Sequence, residues 1–218
     1  MNFIVILGIA GCGVLLNRAI LIYLRKKYTQ RLIKAIQSRN ETEYQRLVFS
    51  KSARILMEPN VVNLARASLY SRRKEDQACR KMLESIRRQE LSLSQQAFYY
   101  TLYLNLVLKE NHESEYLKLQ NELLSIYKKT GNPALKSAYQ TSELMRKLNF
   151  RFDPSVIDDL KRALPQVEEK ERRMLLLLLS QAYHENHQEK MAEIYRHKAE
   201  EELLKMKEVR MANPLFDE

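Results

Sequence analysis

Hydrophobic positions fall along this chain in two patterns. From Phe3 to Leu24 nearly every residue is apolar, interrupted only by Asn17, Arg18 and the amphipathic Tyr23. Beyond that run the apolar residues thin to one in every three or four, the helical period. Tyr116, Leu119, Leu123, Ile126 and Tyr127 share one face at this spacing, as do Met191, Ile194, Tyr195, Ala199, Leu203 and Met206. Breaks between these segments are short: Pro59-Asn60, residues 91–94, Asn111-His112, Gly131-Asn132-Pro133 and residues 149–153. Asp153 before Pro154 predicts a helix start, because the carboxylate can accept from free N–H groups and proline has none to leave unpaired. Pro165 should end that helix early. The pattern predicts about eight or nine helices joined by tight turns, an all-α fold arranged as a stack of antiparallel hairpins.

At about 1.5 Å per residue, the run from Phe3 to Leu24 reaches about 33 Å, enough to cross a hydrocarbon core of about 30 Å. It is expected to be an N-terminal transmembrane helix, with Arg18 close enough to its charged end to snorkel. Nothing basic precedes the run, whereas Arg25, Lys26, Lys27, Arg31 and Lys34 come directly after it. The positive-inside rule therefore predicts a single-pass protein of the cell membrane with its C-terminal domain in the cytoplasm. A cleaved secretory leader would carry its basic residues on the other side. Ile9-Ala10-Gly11-Cys12 resembles a lipobox, which would make Cys12 a lipidated N-terminus of an exported protein. Against that, no basic region precedes it and more apolar helix comes after it. Gly8 and Cys12, four apart, could also let two helices approach closely.

Composition narrows the function. Of 218 residues only four are glycine, and three of these lie in the apolar run, so the glycine-rich loops that cradle phosphates cannot be built. Two cysteines exclude a disulfide framework. The net charge of +10 is concentrated after the apolar run: between residues 18 and 54 there are ten Lys or Arg against two acids, while residues 151–218 are net acidic. Basic residues beside a cytoplasmic membrane face are attracted to anionic lipid, and the five flanking ones are assigned that role. No recognition motif accompanies the charge, so nucleic acid is not the expected partner.

Residues Leu176 to Leu204 resemble a tetratricopeptide repeat. Leu176 stands where that motif has tryptophan, Leu179-Ser180 where it has Leu-Gly, Tyr183 where it has tyrosine, and Ala192 and Ala199 at its small positions. The tryptophan, the glycine and the closing proline are missing, and Arg196 replaces an aromatic. Fainter echoes place Leu104, Leu108 and Glu110-Asn111-His112 before Leu117 and Leu124, and Ala67 and Tyr70 before Cys79 and Ile86. The resemblance implies a repeat domain over 61–212, preceded by an anchor (1–27) and a basic juxtamembrane hairpin (28–60), and succeeded by a short acidic tail (213–218). It also implies that the first helix of each hairpin lines a groove, through Leu64, Ser68 and Ser71, then Tyr99, Leu102, Leu106 and Lys109, then Leu177, Gln181 and His184. The bland alternative for each apolar member is that it belongs to the core.

Catalytic patterns are absent from the sequence. His184 and His187 do not make the zinc-protease spacing, and the carboxylate clusters at Asp158-Asp159, 168–171 and 200–202 are mixed with Lys and Arg as on a solvated helix face. No cofactor or metal is expected. The expected function is a membrane-tethered scaffold that binds a protein or peptide without catalysis. A structural or assembly subunit of a membrane complex, or an exported lipoprotein-like assembly factor, is the alternative.

Overall fold

The computed structural model describes residues 18–36, 38, 40–167 and 172–205 in full, and only the helical backbone of 2–17, 37, 169–171 and 206–212. Among these there are eleven α-helices and no strand: α1 (Asn2–Gln37), α2 (Glu41–Val48), α3 (Lys51–Leu56), α4 (Pro59–Arg72), α5 (Asp76–Glu84), α6 (Leu93–Lys109), α7 (Glu113–Thr130), α8 (Pro133–Asn149), α9 (Ser155–Ala163), α10 (Glu169–Glu185) and α11 (Glu189–Ala212). The all-α expectation holds. More helices form than the pattern predicts, because Asn40 and Ser50 cap two short ones between α1 and α4. Asn40 accepts from the Glu43 N–H at 3.0 Å and Ser50 from the Ala53 N–H at 3.1 Å.

The other punctuation agrees with the sequence. Asn132 accepts from Ala134 and Leu135 N–H groups ahead of α8, and Gly131, at φ 63°, closes α7 in the left-handed conformation that glycine tolerates. Asp153 accepts from the Ser155 N–H at 2.9 Å, as expected, and this bond holds its carboxyl below the usual range. Pro165 lies in a 3-10 turn that ends α9. Ser92 and Gln95 bond each other's backbone N–H ahead of α6, a capping box that hydrophobic periodicity does not single out.

The chain falls into two compact units, residues 1–106 and 107–218. In the first, the C-terminal half of α1 offers Tyr28, Leu32 and Ala35 to a core shared with Tyr44, Leu47, Val48, Ala53, Val62 and Leu69. The stretch 28–60, expected as a juxtamembrane hairpin, shares this core with α4. In the second unit, Leu148, Val156, Ile157, Leu160, Leu179, Ala182, Tyr183 and Ala192 form the core of α8 to α11. Each fully buried Leu there is worth about 1.5 to 3 kcal/mol.

One turn recurs. Lys74, Asn111 and His187 are the described non-glycine residues with positive φ, at 59°, 57° and 55°. Each comes after a helix whose backbone closes the same way, Glu75 N–H to Tyr70 O at 2.9 Å, His112 to Val107 at 3.2 Å and Gln188 to Tyr183 at 2.9 Å, the Schellman bond. Counting five residues on from each turn residue gives Cys79, Tyr116 and Ala192, and twelve on gives Ile86, Leu123 and Ala199; all six are buried. The echo of Cys79 and Ile86 thus keeps its register. The echo of Leu117 and Leu124 is corrected by one residue, since Tyr116 and Leu123 occupy those places and Leu117 and Leu124 are only half-buried.

Candidate functional site

Most of the expected transmembrane segment, and the tail 213–218, lie outside the residues described in full. No helix among the described residues is long and apolar enough to cross a membrane; of the apolar run they include only Arg18 to Leu24. Every residue from Arg18 to Lys27 is exposed, with Ile22 and Tyr23 each more than 60 % accessible. Burial begins at Tyr28. The basic residues Arg25, Lys26 and Lys27 sit immediately before this point, and Lys34 is exposed further along α1. Arg31 is exposed too, but it pairs with Glu43 at 3.2 Å, and Glu43 also pairs with Arg46 at 2.8 Å. The Arg46 and Arg31 guanidiniums hold the Glu43 carboxyl below its ordinary range.

The expected groove residues separate into two kinds. Leu64 and Ser68 on α4 are buried, as are Tyr99 and Leu106 on α6, while Leu102 is half-buried and Lys109 exposed. Tyr99 meets Tyr100 and Tyr103 edge to face, with ring centroids 5.3 and 5.8 Å apart. Leu64, Tyr99 and Leu106 therefore belong to the core, and Leu102 keeps only part of its surface open. On α10, by contrast, Leu177, Gln181 and His184 are exposed and share one face at i, i+4 and i+7. Met174, 59 % exposed, extends it by a turn. The tetratricopeptide resemblance does not point to Met174; its place three residues before Leu177, off the buried stripe of Leu176, Leu179 and Tyr183, is the signal that finds it. Gln181 Nε2 lies 3.5 Å from Asn149 Oδ1 at the end of α8, which borders this face.

The face is backed by stacked rings and a close helix pair. Tyr183 of α10 and Tyr195 of α11 stack at 5.3 Å and 11°, with the Lys161 ammonium 5.3 Å from the first ring and the Lys198 ammonium 5.1 Å from the second. Ser180 donates to the Ala192 carbonyl at 2.8 Å, a close approach that two small residues permit. At the edge, His184 Nδ1 meets the Glu189 carboxylate at 2.9 Å, which raises the imidazole pKa. His187 stands in the left-handed turn and shares no site with it. A shallow open cleft of about 420 Å³ lies among Leu164, Pro165, Arg172, Leu176, Lys198, Glu201 and Glu202.

Among the described residues, Glu110, His112 and Glu115 bring one potential ligand atom each within 4.8 Å of one another at the α6–α7 turn. They are exposed or half-exposed, a setting in which carboxylates beside histidine are commonly just hydrated. No known protein family, curated protein or solved structure matches this chain.

Proposed function

We propose that this protein is a membrane-tethered interaction module: α1 is a single span, the repeated hairpins behind it carry a surface for a protein or peptide partner, and the chain catalyses nothing. The observation that carries the reading is the exit of α1 from the body. A helix of a water-soluble domain hides an apolar stripe and shows its polar side. Here Ile20, Leu21, Ile22, Tyr23 and Leu24, consecutive residues and therefore on all sides of the helix, are exposed together just before a basic cluster. Such a surface is stable in lipid and costly in water. The basic residues Arg25, Lys26, Lys27 and Lys34 then face anionic lipid on the cytoplasmic side.

For the partner, the face of Met174, Leu177, Gln181 and His184 combines exposed apolar area with polar edges over a packed backing, the character of a peptide-binding helix surface. The tetratricopeptide-like architecture is part of this proposal, supported by the recurring turn and by the small residues where α10 meets α11.

Two measurements test it. Membranes carrying the chain are washed at alkaline pH, and retention in the pellet is expected. Single-cysteine variants at Gln77, with Cys12 and Cys79 replaced by alanine, are then labelled in intact cells with an impermeant thiol reagent. Labelling only after lysis is expected; labelling of intact cells would reverse the topology and favour an exported protein.

A further inference from the structure

The turn between α2 and α3 lies close to the point where α1 leaves the body. The Tyr28 hydroxyl donates to the Leu47 carbonyl and lies 2.8 Å from Ser50 Oγ, so residues 47–50 are fastened at the level of Tyr28. Leu24, the last apolar residue of the run, precedes Tyr28 by four residues, about 6 Å along the helix. Helical side chains lean toward the N-terminus, so the Tyr28 hydroxyl lies nearer the apolar run than its own Cα. The headgroup layer of a bilayer is about 5 to 7 Å deep on each side.

The exposed side chains on this turn and on α3 directly after it have the chemistry of that layer. Phe49 is 40 % and Ile55 69 % exposed, and Lys51 and Arg54 are exposed with no acidic partner among the described residues. Phe49 is held from behind by Tyr70, edge to face at 6.2 Å, and by the Arg66 guanidinium 5.0 Å from its ring. Exposed aromatic and aliphatic groups between unpaired cations are costly in water and suited to the boundary of an anionic membrane. A second copy of the chain is a poor occupant, because it would set Lys51, Arg54 and the Arg25–Lys27 cluster against their own like charges.

We propose that the α2–α3 turn is a second membrane contact, in which Phe49, Lys51, Arg54 and Ile55 meet the headgroup layer of an anionic bilayer and fix the first unit against it. The inference rests on the proposal that α1 is a membrane tether. Each basic residue near an anionic surface strengthens the attraction about fivefold, so the turn adds to the flank of α1 without any new fold.

The test uses the full chain, with Cys12 and Cys79 replaced by alanine, reconstituted in phosphatidylcholine vesicles with or without phosphatidylserine. An environment-sensitive dye is placed on Ile22→Cys, Ile55→Cys or Gln77→Cys, and lipids carry quenchers at headgroup or mid-acyl depth. Expected is acyl-depth quenching at 22, headgroup-depth quenching at 55 that grows with phosphatidylserine, and none at 77. Lys51→Glu with Arg54→Glu should remove most of the signal at 55 and leave 22 unchanged. Quenching at 22 with none at 55 overturns the second contact and spares the tether. No quenching at either position overturns both. Quenching at 55 that ignores phosphatidylserine and the charge reversal overturns the anionic specificity.

Discussion

Replacing Tyr116 by phenylalanine should make the second unit less stable at neutral pH and more stable at high pH, with a crossing between. Tyr116 is 1 % exposed, and its hydroxyl donates to the Ser142 carbonyl at 2.9 Å, beside a second bond from Gln120 to the Ser142 hydroxyl at 3.0 Å. Losing the phenol bond costs about 1 kcal/mol at neutral pH. Burial pushes the Tyr116 phenol well above its ordinary value of 10.0. A folded pKa above the unfolded one means that the contribution of the protonated phenol is complete below about pH 10 and is lost as pH rises further, because the unfolded chain releases a proton that the folded chain retains. Each pH unit above about 10 then removes about 1.4 kcal/mol from the wild type and nothing from the variant on this account. The two stabilities should therefore cross within about one unit above pH 10. Urea unfolding followed by circular dichroism in a neutral detergent, at a series of pH values on both proteins, measures the difference. Lysines titrate in the same range but are common to both chains and cancel. Parallel stability curves, with the variant lower throughout, would refute the claim that the buried phenol is what alkali attacks.

Other consequences are smaller in scope. His187→Gly and Lys74→Gly each relieve a left-handed non-glycine residue and should raise stability by about 0.5 to 1 kcal/mol, read from the urea midpoint. Gly131→Ala should do the reverse by about 1 kcal/mol, since its φ is 63° and nothing nearby would clash with the added carbon. Asn60→Ala should cost about 1 to 3 kcal/mol, because the buried amide donates to Glu90 at 2.6 Å and accepts from the Arg87 N–H at 3.1 Å, and hydrogen exchange of the Arg87 amide should accelerate. Acid should loosen the α8–α9 junction: Lys147 and Arg162 hold the Asp159 carboxyl below its ordinary range. That depressed pKa gives stability present above the ordinary carboxylate pKa and lost as pH falls through the folded one, and Lys147→Met should flatten the acid limb of the curve.

Much of this fold is legible in the chain, because its helix ends are written in residues with local effects. Asn132-Pro133, Asp153-Pro154 and Gly131 act within one turn of themselves, and each does what its chemistry predicts. Register between hairpins is harder to read. The triplet Glu-Asn-His occurs at 110–112 and at 185–187, yet the left-handed residue is Asn111 in one and His187 in the other. Matching letters therefore misplaces α7 by one residue, whereas the period of Tyr116, Leu119 and Leu123 has the buried face right. The α6 part of the groove is hard to read for another reason. α6 is apolar on most sides, so periodicity cannot tell which tyrosines are enclosed; Tyr99 is buried while its neighbour Phe98 is 44 % exposed. The level of the α2–α3 turn depends on long-range bonds, from Tyr28 to residues 47 and 50, that no local pattern encodes.

Between Gly13 and Pro59 there is neither glycine nor proline, and α1 runs through to Gln37 without a break, its last turns set into the core of the first unit. A domain on a flexible leash samples a hemisphere of positions and meets its target in any posture. On the proposal that α1 is a membrane tether, this unit has no leash, because the helix runs unbroken into its core. Any twist or tilt imposed on the N-terminal end of α1 is delivered to the body as a rotation of the whole unit, as a shaft turns the wheel keyed to it. If α1 is the tether proposed above, the first unit should stand at one height and one bearing over the bilayer, and a partner would reach it from the side that this bearing leaves open.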